Sequence, residues 1–200
     1  MLKRALSAAG QRVPEETVMD PKVVGIIVVV VLVLIVAAIM ISRKREADRL
    51  RKVFGPEYDR QVEEAGSRSK AEAELHKREK RVEKLDIRPL PAAKREAFLA
   101  DWEQVQAGFV DDPEKAIALA DALVGDVMKA RGYPVEDFEQ RAADISVEHP
   151  QLVSNYRAAH EIAVRHRQGK AGTEDLRAAF IGYRSMFEEL LGTKAEEAVH

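Results

Sequence analysis

The sequence has no cysteine among its 200 residues. This absence excludes disulfide bonds, thiolate catalysis, cysteine-based zinc sites and iron–sulfur clusters. A second absence is local, because the nineteen-residue run Val23–Ile41 holds no charged side chain and no hydrogen-bonding side chain. At ~1.5 Å rise per residue a helix of this length spans ~28 Å, close to the hydrocarbon thickness of a bilayer. The run therefore predicts a transmembrane helix over residues 23–42, with the lipid bilayer as a partner.

A cleavable signal peptide is the alternative interpretation of this run. Its apolar region would be about 7–15 residues long and would end in small residues at a cleavage site. Here the run is longer and ends in Ser42-Arg43-Lys44-Arg45, which is typical of a stop-transfer sequence. Ionisable groups inside a span mark transport paths, and this single span has none. The sequence thus favours a plain anchor over a signal peptide, a transporter or a channel.

The basic residues that flank the run predict its orientation. Seven Lys and Arg residues lie within twenty residues after it, and four lie before it. Cytoplasmic flanks carry the excess of Lys and Arg, so we expect the N-terminus outside and the C-terminal part in the cytoplasm at the inner membrane. The segment Met19-Asp20-Pro21-Lys22 directly precedes the run, and if translation starts at Met19 only Lys22 remains as a basic residue on the outer side.

Charge is distributed unevenly along the rest of the chain. Residues 43–85 carry a net charge of +4 and residues 86–200 a net charge of −7. The acidic part lacks the basic footprint of a nucleic-acid-binding domain. The basic part could contact anionic lipid heads, or it could be only the usual positive flank of a membrane span. The candidate lipid-head contacts are Arg43, Lys44, Arg45, Arg49, Arg51 and Lys52.

The sequence after the apolar run predicts an all-α fold. We expect a short tail over residues 1–22, a basic, solvated helical stalk over 43–87, a helical bundle over 88–192 and a disordered tail over 193–200. The stalk has a narrow apolar stripe with residues at steps of four, and the prolines of Arg88-Pro89-Leu90-Pro91 mark its end. No segment alternates apolar and polar residues long enough for a strand.

Proline and glycine divide the bundle into about five helices. The predicted helices cover residues 91–109, 113–131, 134–146, 150–168 and 174–191. In the first, Phe98, Trp102, Val105 and Phe109 recur at spacings of four, three and four, which places them on one helix face. Asp111-Asp112 before Pro113 predicts a helix cap rather than a pair of catalytic carboxylates.

No catalytic, cofactor-binding or metal-binding residue emerges from the sequence. The segment His160-Glu161 begins like a zinc-binding HExxH motif, but Val164 replaces the second histidine. His166 lies six residues from His160, so their rings point about 120° apart on a helix and cannot share a metal. We therefore predict no cofactor.

The most distinctive stretch surrounds Arg131-Gly132-Tyr133-Pro134. It can be interpreted as a tightly packed helix junction or as a docking surface for a protein partner. Arg141 and Asp144 are three residues apart, so they are expected to pair with each other. The candidate partner surface comprises Arg131, Tyr133, Glu139, Arg141 and Asp144.

The stretch RGYPVEDFEQRAADISVEHP and the motif YRAAH, behind an anchor and a charged stalk, resemble a family of uncharacterised bacterial single-pass membrane proteins with a cytoplasmic helical domain. The resemblance covers most of residues 20–191. It implies a bacterial inner-membrane setting and brings no activity, cofactor or catalytic residue.

Three functions remain open at this point. The first is a non-enzymatic adaptor or scaffold, in which an anchored helical domain binds protein partners at the cytoplasmic face of the membrane. The second is a structural homo-oligomer that associates through the stalk or the bundle. The third is an enzyme that uses carboxylates on a helical bundle, which would require a concave pocket.

Overall fold

The computed structural model describes residues 20–192, and these residues are helical with no strand among them. The helices are α1 (Pro21–Phe54), α2 (Pro56–Ala65), α3 (Arg68–Val82), α4 (Ala92–Gly108), α5 (Pro113–Arg131), α6 (Phe138–Glu148), α7 (Pro150–Arg167) and α8 (Thr173–Leu191). The all-α prediction is confirmed. Residues 1–19 of the tail expected over 1–22, and the whole tail expected over 193–200, lie outside the described residues.

The chain divides into two compact units, one ending at Arg45 and the other beginning at Glu46. In the first unit, the segment of α1 that carries Val23–Ile41 is long and apolar enough to cross a membrane. Its apolar side chains are exposed rather than buried inside the protein.

The second unit extends further towards the N-terminus than the predicted bundle. We expected residues 43–87 to form a solvated stalk, but α2 contacts α7 and α3 contacts α6. The reason is the apolar stripe: Leu50, Phe54 and Tyr58 are buried together with Leu75 in a small second core. Residues 46–87 of the predicted stalk therefore belong to the same compact unit as α4–α8.

The main core lies between α5, α7 and α8, and α4 covers one side of it. Trp102 of α4 stacks on Phe180 and Phe187 of α8, with ring centroids 5.1 and 4.7 Å apart. Gly182 allows α7 and α8 to approach closely, since a Cβ there would lie 2.9 Å from the Asn155 carbonyl oxygen. These contacts hold four helices in one apolar layer.

The helices begin and end close to the prolines, glycines and capping residues that predict their boundaries, with one exception. The side chain of Asp112 accepts a hydrogen bond from the Lys115 N–H at 3.0 Å, so the predicted cap of α5 is confirmed. α6 does not begin at Pro134 as predicted, but at Phe138. Asp137 is the residue that caps it, with its side chain accepting from the Gln140 N–H at 2.8 Å.

Gly132 ends α5 in the left-handed region with a φ of 103°. A Cβ at this position would collide with the carbonyl oxygen of Asp86. The neighbouring Arg88 N–H donates to the Arg131 carbonyl at 2.8 Å. Gly132 thus lets the linker between α3 and α4 pack against the end of α5.

Candidate functional site

The six candidate lipid-head contacts do not share one environment. Arg49 donates to both carboxylate oxygens of Glu79 at 2.9 Å, and Arg51 pairs with Asp59 at 2.8 Å. These two arginines are therefore bound to carboxylates of the protein. The other four side chains, Arg43, Lys44, Arg45 and Lys52, are exposed, and none has an ion pair within residues 20–192.

The five residues of the candidate partner surface do not form a surface. Asp144 is fully buried and Tyr133 nearly so, with the Tyr133 hydroxyl donating to Glu148. Arg131 is directed at the end of α8, where its Nη1 donates to the Leu190 carbonyl at 3.2 Å. Of the five, Glu139 alone is mostly exposed, at 72%. The alternative interpretation, a packed helix junction, describes this region better.

The expected pair between Arg141 and Asp144 is also wrong. Arg141 contacts Asp121 of α5 at 3.3 Å. Asp144 instead accepts from the Arg81 Nε at 2.7 Å and from the Gln140 Nε2 at 2.9 Å. Both residues therefore connect α6 to other helices, which spacing within one helix does not reveal.

A buried ionic cluster joins α2, α3 and α7, and we call it the Glu57 cluster. Glu57 is 1% exposed, and its Oε1 lies 2.7 Å from Arg60, 3.0 Å from Arg78 and 3.2 Å from Arg157. Burial favours the protonated acid, but the hydrogen bond from Arg60 and the nearby arginine charges outweigh it and lower the pKa of Glu57. The cluster thus stays ionised and attaches the α2–α3 hairpin to α7.

An open groove runs between α4 and α5. Its volume is about 560 Å³. We call it the acidic groove; it is lined by Asp101, Gln104, Val105, Gly108, Asp111, Asp112, Lys115, Ala116, Leu119, Ala122, Leu123 and Asp126.

The acidic groove is lined by both apolar and acidic side chains. Leu119 is one of the apolar lining residues and is 45% exposed. Four aspartates and one lysine lie around it, and Asp101, Asp111 and Asp126 have no hydrogen bond or ion pair in the described part of the chain. The groove therefore presents uncompensated negative charge beside an apolar strip.

A smaller cleft of about 170 Å³ lies between α5, α7 and α8. We call it the polar cleft; it is lined by Glu114, Ile117, Ala118, Asp121, His160, Ala163, His166, Arg167, Leu176 and Tyr183. The two histidines that the HExxH comparison singled out face this cleft. The His166 Nδ1 lies 2.8 Å from the Ala171 carbonyl oxygen, and the His160 ring stacks on Phe138.

Neither site has the geometry of a metal centre. Among residues 20–192 no group of three or more His, Asp or Glu side chains could hold a metal ion. The polar cleft does bring together a carboxylate, an imidazole, a phenol and a guanidinium, which can bind a small molecule by hydrogen bonds and charge.

Comparison of the chain with protein-family models, with curated proteins and with solved structures finds no match. The acidic groove and the polar cleft are therefore the features from which a function can be inferred.

Neither site could be predicted from the sequence, because each is formed by residues that lie on different helices. Asp101 and Asp126 lie on different helices, and only the packing of α4 on α5 brings them to one groove. The signal that could have indicated the acidic groove was Leu119, an apolar residue next to the predicted core stripe of α5, together with the net negative charge of residues 86–200.

Proposed function

We propose that the protein is a membrane-anchored binding module whose helical domain captures a basic amphipathic helix of a partner protein in the acidic groove. The anchor is Val23–Ile41, and the domain lies at the cytoplasmic face of a bacterial inner membrane. Arg43, Lys44 and Arg45 contact anionic lipid heads there. The module has no catalytic role.

The observation that carries this proposal is the combination of apolar side chains and uncompensated aspartates in one open groove. Amphipathic helices bind by laying an apolar face into such a groove, with anchors at spacings of three and four. The unpaired aspartates select Lys and Arg on the flanks of the partner helix, because complementary charge favours the right partner and repels wrong ones.

Two further observations support a binding module. The long apolar helix α1 provides a means of holding the domain at a membrane. Anchoring raises the effective concentration of a partner that is itself at the membrane. The exposed Leu119 adds an apolar anchor point within the groove, and a few such residues carry most of the binding energy in protein interfaces.

Site-specific photocrosslinking tests the proposal. We would replace Leu119 with p-benzoylphenylalanine in the full chain and irradiate native membranes. We expect a crosslink that maps by mass spectrometry to a Lys- and Arg-rich amphipathic segment of another protein. The matched control replaces Ile181, which is also exposed but lies on α8 outside the groove, and should give no such product.

The captured segment then allows a quantitative test. A synthetic peptide of that segment should bind the Asp101→Lys/Asp126→Lys variant at least about tenfold more weakly than the unchanged protein, a difference of ~1.4 kcal/mol. A crosslink to a second copy of this chain would overturn the proposal in favour of a homo-oligomer. A crosslinked segment that is acidic or uncharged would overturn it as well.

A further inference from the structure

The polar cleft has opposite charges on its two long walls. Helix α5 contributes the carboxylates of Glu114 and Asp121. Helix α7 contributes Arg167, which has no hydrogen bond or ion pair in the described part of the chain, together with His160 and His166. Burial lowers the pKa of His160 and favours its neutral imidazole. The fixed positive charge on this wall is therefore the Arg167 guanidinium.

The cleft also holds a buried polar group without a hydrogen-bond partner. The Tyr183 side chain is fully buried and lines the cleft, and its hydroxyl makes no hydrogen bond within residues 20–192. Burial raises the pKa of Tyr183, so the phenol keeps its proton and can donate. An unsatisfied buried hydroxyl costs about 1–3 kcal/mol, which a ligand acceptor would recover.

The charge on the acidic wall is only partly compensated by the protein. Arg141 approaches Asp121 at 3.3 Å, and the Tyr156 hydroxyl donates to Asp121 at 3.3 Å. Both distances are long for contacts to a charged acceptor. On the same wall, Glu114 lies 3.5 Å from the His166 Nε2 and is mostly exposed. Both carboxylates can therefore accept further donors from a ligand.

We propose that the polar cleft binds a small zwitterion of the amino-acid class. Its ammonium group contacts Asp121 and Glu114, its carboxylate contacts Arg167 and the Tyr183 hydroxyl, and its short apolar side chain packs on Ile117, Ala163 and Leu176. A ligand with a single charge would be attracted to one wall of the cleft and repelled by the other. A cavity of about 150 Å³ accommodates benzene, so the cleft has room for a small amino acid.

The test uses isothermal titration calorimetry on the full chain in detergent micelles. The zwitterionic probes are glycine, alanine, proline and valine. For valine, isobutylamine lacks the carboxylate and isovalerate lacks the ammonium group, so the three molecules share one apolar body. We expect at least one zwitterion to bind, and we expect the analogue that lacks either charge to bind at least about tenfold more weakly.

Two outcomes of this titration would overturn the proposal. One is the absence of binding by all four zwitterions at ligand concentrations of about 10 mM. The other is binding of isobutylamine or isovalerate as tight as that of valine, which would indicate a site for a single charge.

Matched variants locate the site. Arg167→Gln should weaken binding of the zwitterion about tenfold or more, whereas Arg165→Gln should leave it unchanged, because Arg165 is exposed on the same helix but does not line the cleft. Tyr183→Phe should weaken binding severalfold without lowering the melting temperature, since the hydroxyl makes no hydrogen bond to the described residues of the chain. Equal loss with Arg165→Gln and Arg167→Gln would contradict this assignment.

Discussion

Replacing Glu57 with glutamine is expected to lower the free energy of unfolding by about 3–5 kcal/mol. The substitution keeps the side-chain volume and removes the charge that Arg78 and Arg157 contact at 3.0 and 3.2 Å. Because Arg78 is buried, its charge would be left without its carboxylate in a poorly solvated position. Urea unfolding of the full chain in detergent, followed by far-UV circular dichroism, measures the loss.

The same helix supplies the control. Asp59 is two residues from Glu57 and pairs with Arg51 at 2.8 Å, but it is 66% exposed. An exposed pair contributes about 0–1 kcal/mol, so Asp59→Asn should change stability little. A loss in Glu57→Gln no larger than that in Asp59→Asn would show that the Glu57 cluster does not hold the α2–α3 hairpin in place.

The pH dependence of stability gives a second readout of the Glu57 cluster. The pKa of Glu57 in the folded protein lies below its ordinary value of 4.5. Stability from this group is therefore fully present above about pH 4.5 and is lost as pH falls through the lower, folded-state value. Glu57→Gln should remove this part of the acid sensitivity, so its stability deficit should shrink below pH 4.

Replacing Phe187 with alanine is expected to cost about 3–5 kcal/mol. Phe187 is fully buried and stacks on Trp102 with ring centroids 4.7 Å apart. Its removal leaves a cavity between α4 and α8 and takes away one of the two aromatic rings that hold Trp102. Trp102 is the sole tryptophan, so its fluorescence reports this interface directly.

We expect the native emission of Phe187→Ala to shift to longer wavelength, and the urea midpoint to fall. Ile181→Ala on the same helix is the control, because Ile181 is 58% exposed and its loss should stay within about 0.5 kcal/mol. An unchanged native spectrum together with a loss below about 1 kcal/mol would contradict the packing of α4 described above.

The sequence predicted the helices better than their contacts. α5 and α8 begin and end close to the predicted positions because Pro113, Gly132 and Gly192 act locally. α6 was misplaced because Pro134 and Asp137 both offer a start, and the aspartate has a backbone donor in reach. Local chemistry decides such boundaries, and it can be read from a few neighbouring residues.

Long-range partners carry no comparable signal. Arg81 and Asp144 are 63 residues apart, and Arg157 and Glu57 are 100 residues apart. Spacing within one helix favoured an Arg141–Asp144 pair instead. The stalk was predicted to be solvated because most of its side chains are polar. Both errors arise because a charged residue on a helix can be buried when another helix supplies its partner.

We propose that Val23–Ile41, which is long and apolar enough to cross a membrane, anchors the helical domain on its cytoplasmic side. Because the chain has no cysteine, one introduced thiol reports one position. We would label Lys22→Cys and Ser69→Cys variants, both exposed, with a membrane-impermeant maleimide. We expect Lys22→Cys to react in intact spheroplasts and Ser69→Cys to react only after lysis. Reaction of Ser69→Cys in intact spheroplasts, or release of the chain from membranes at alkaline pH, would contradict it.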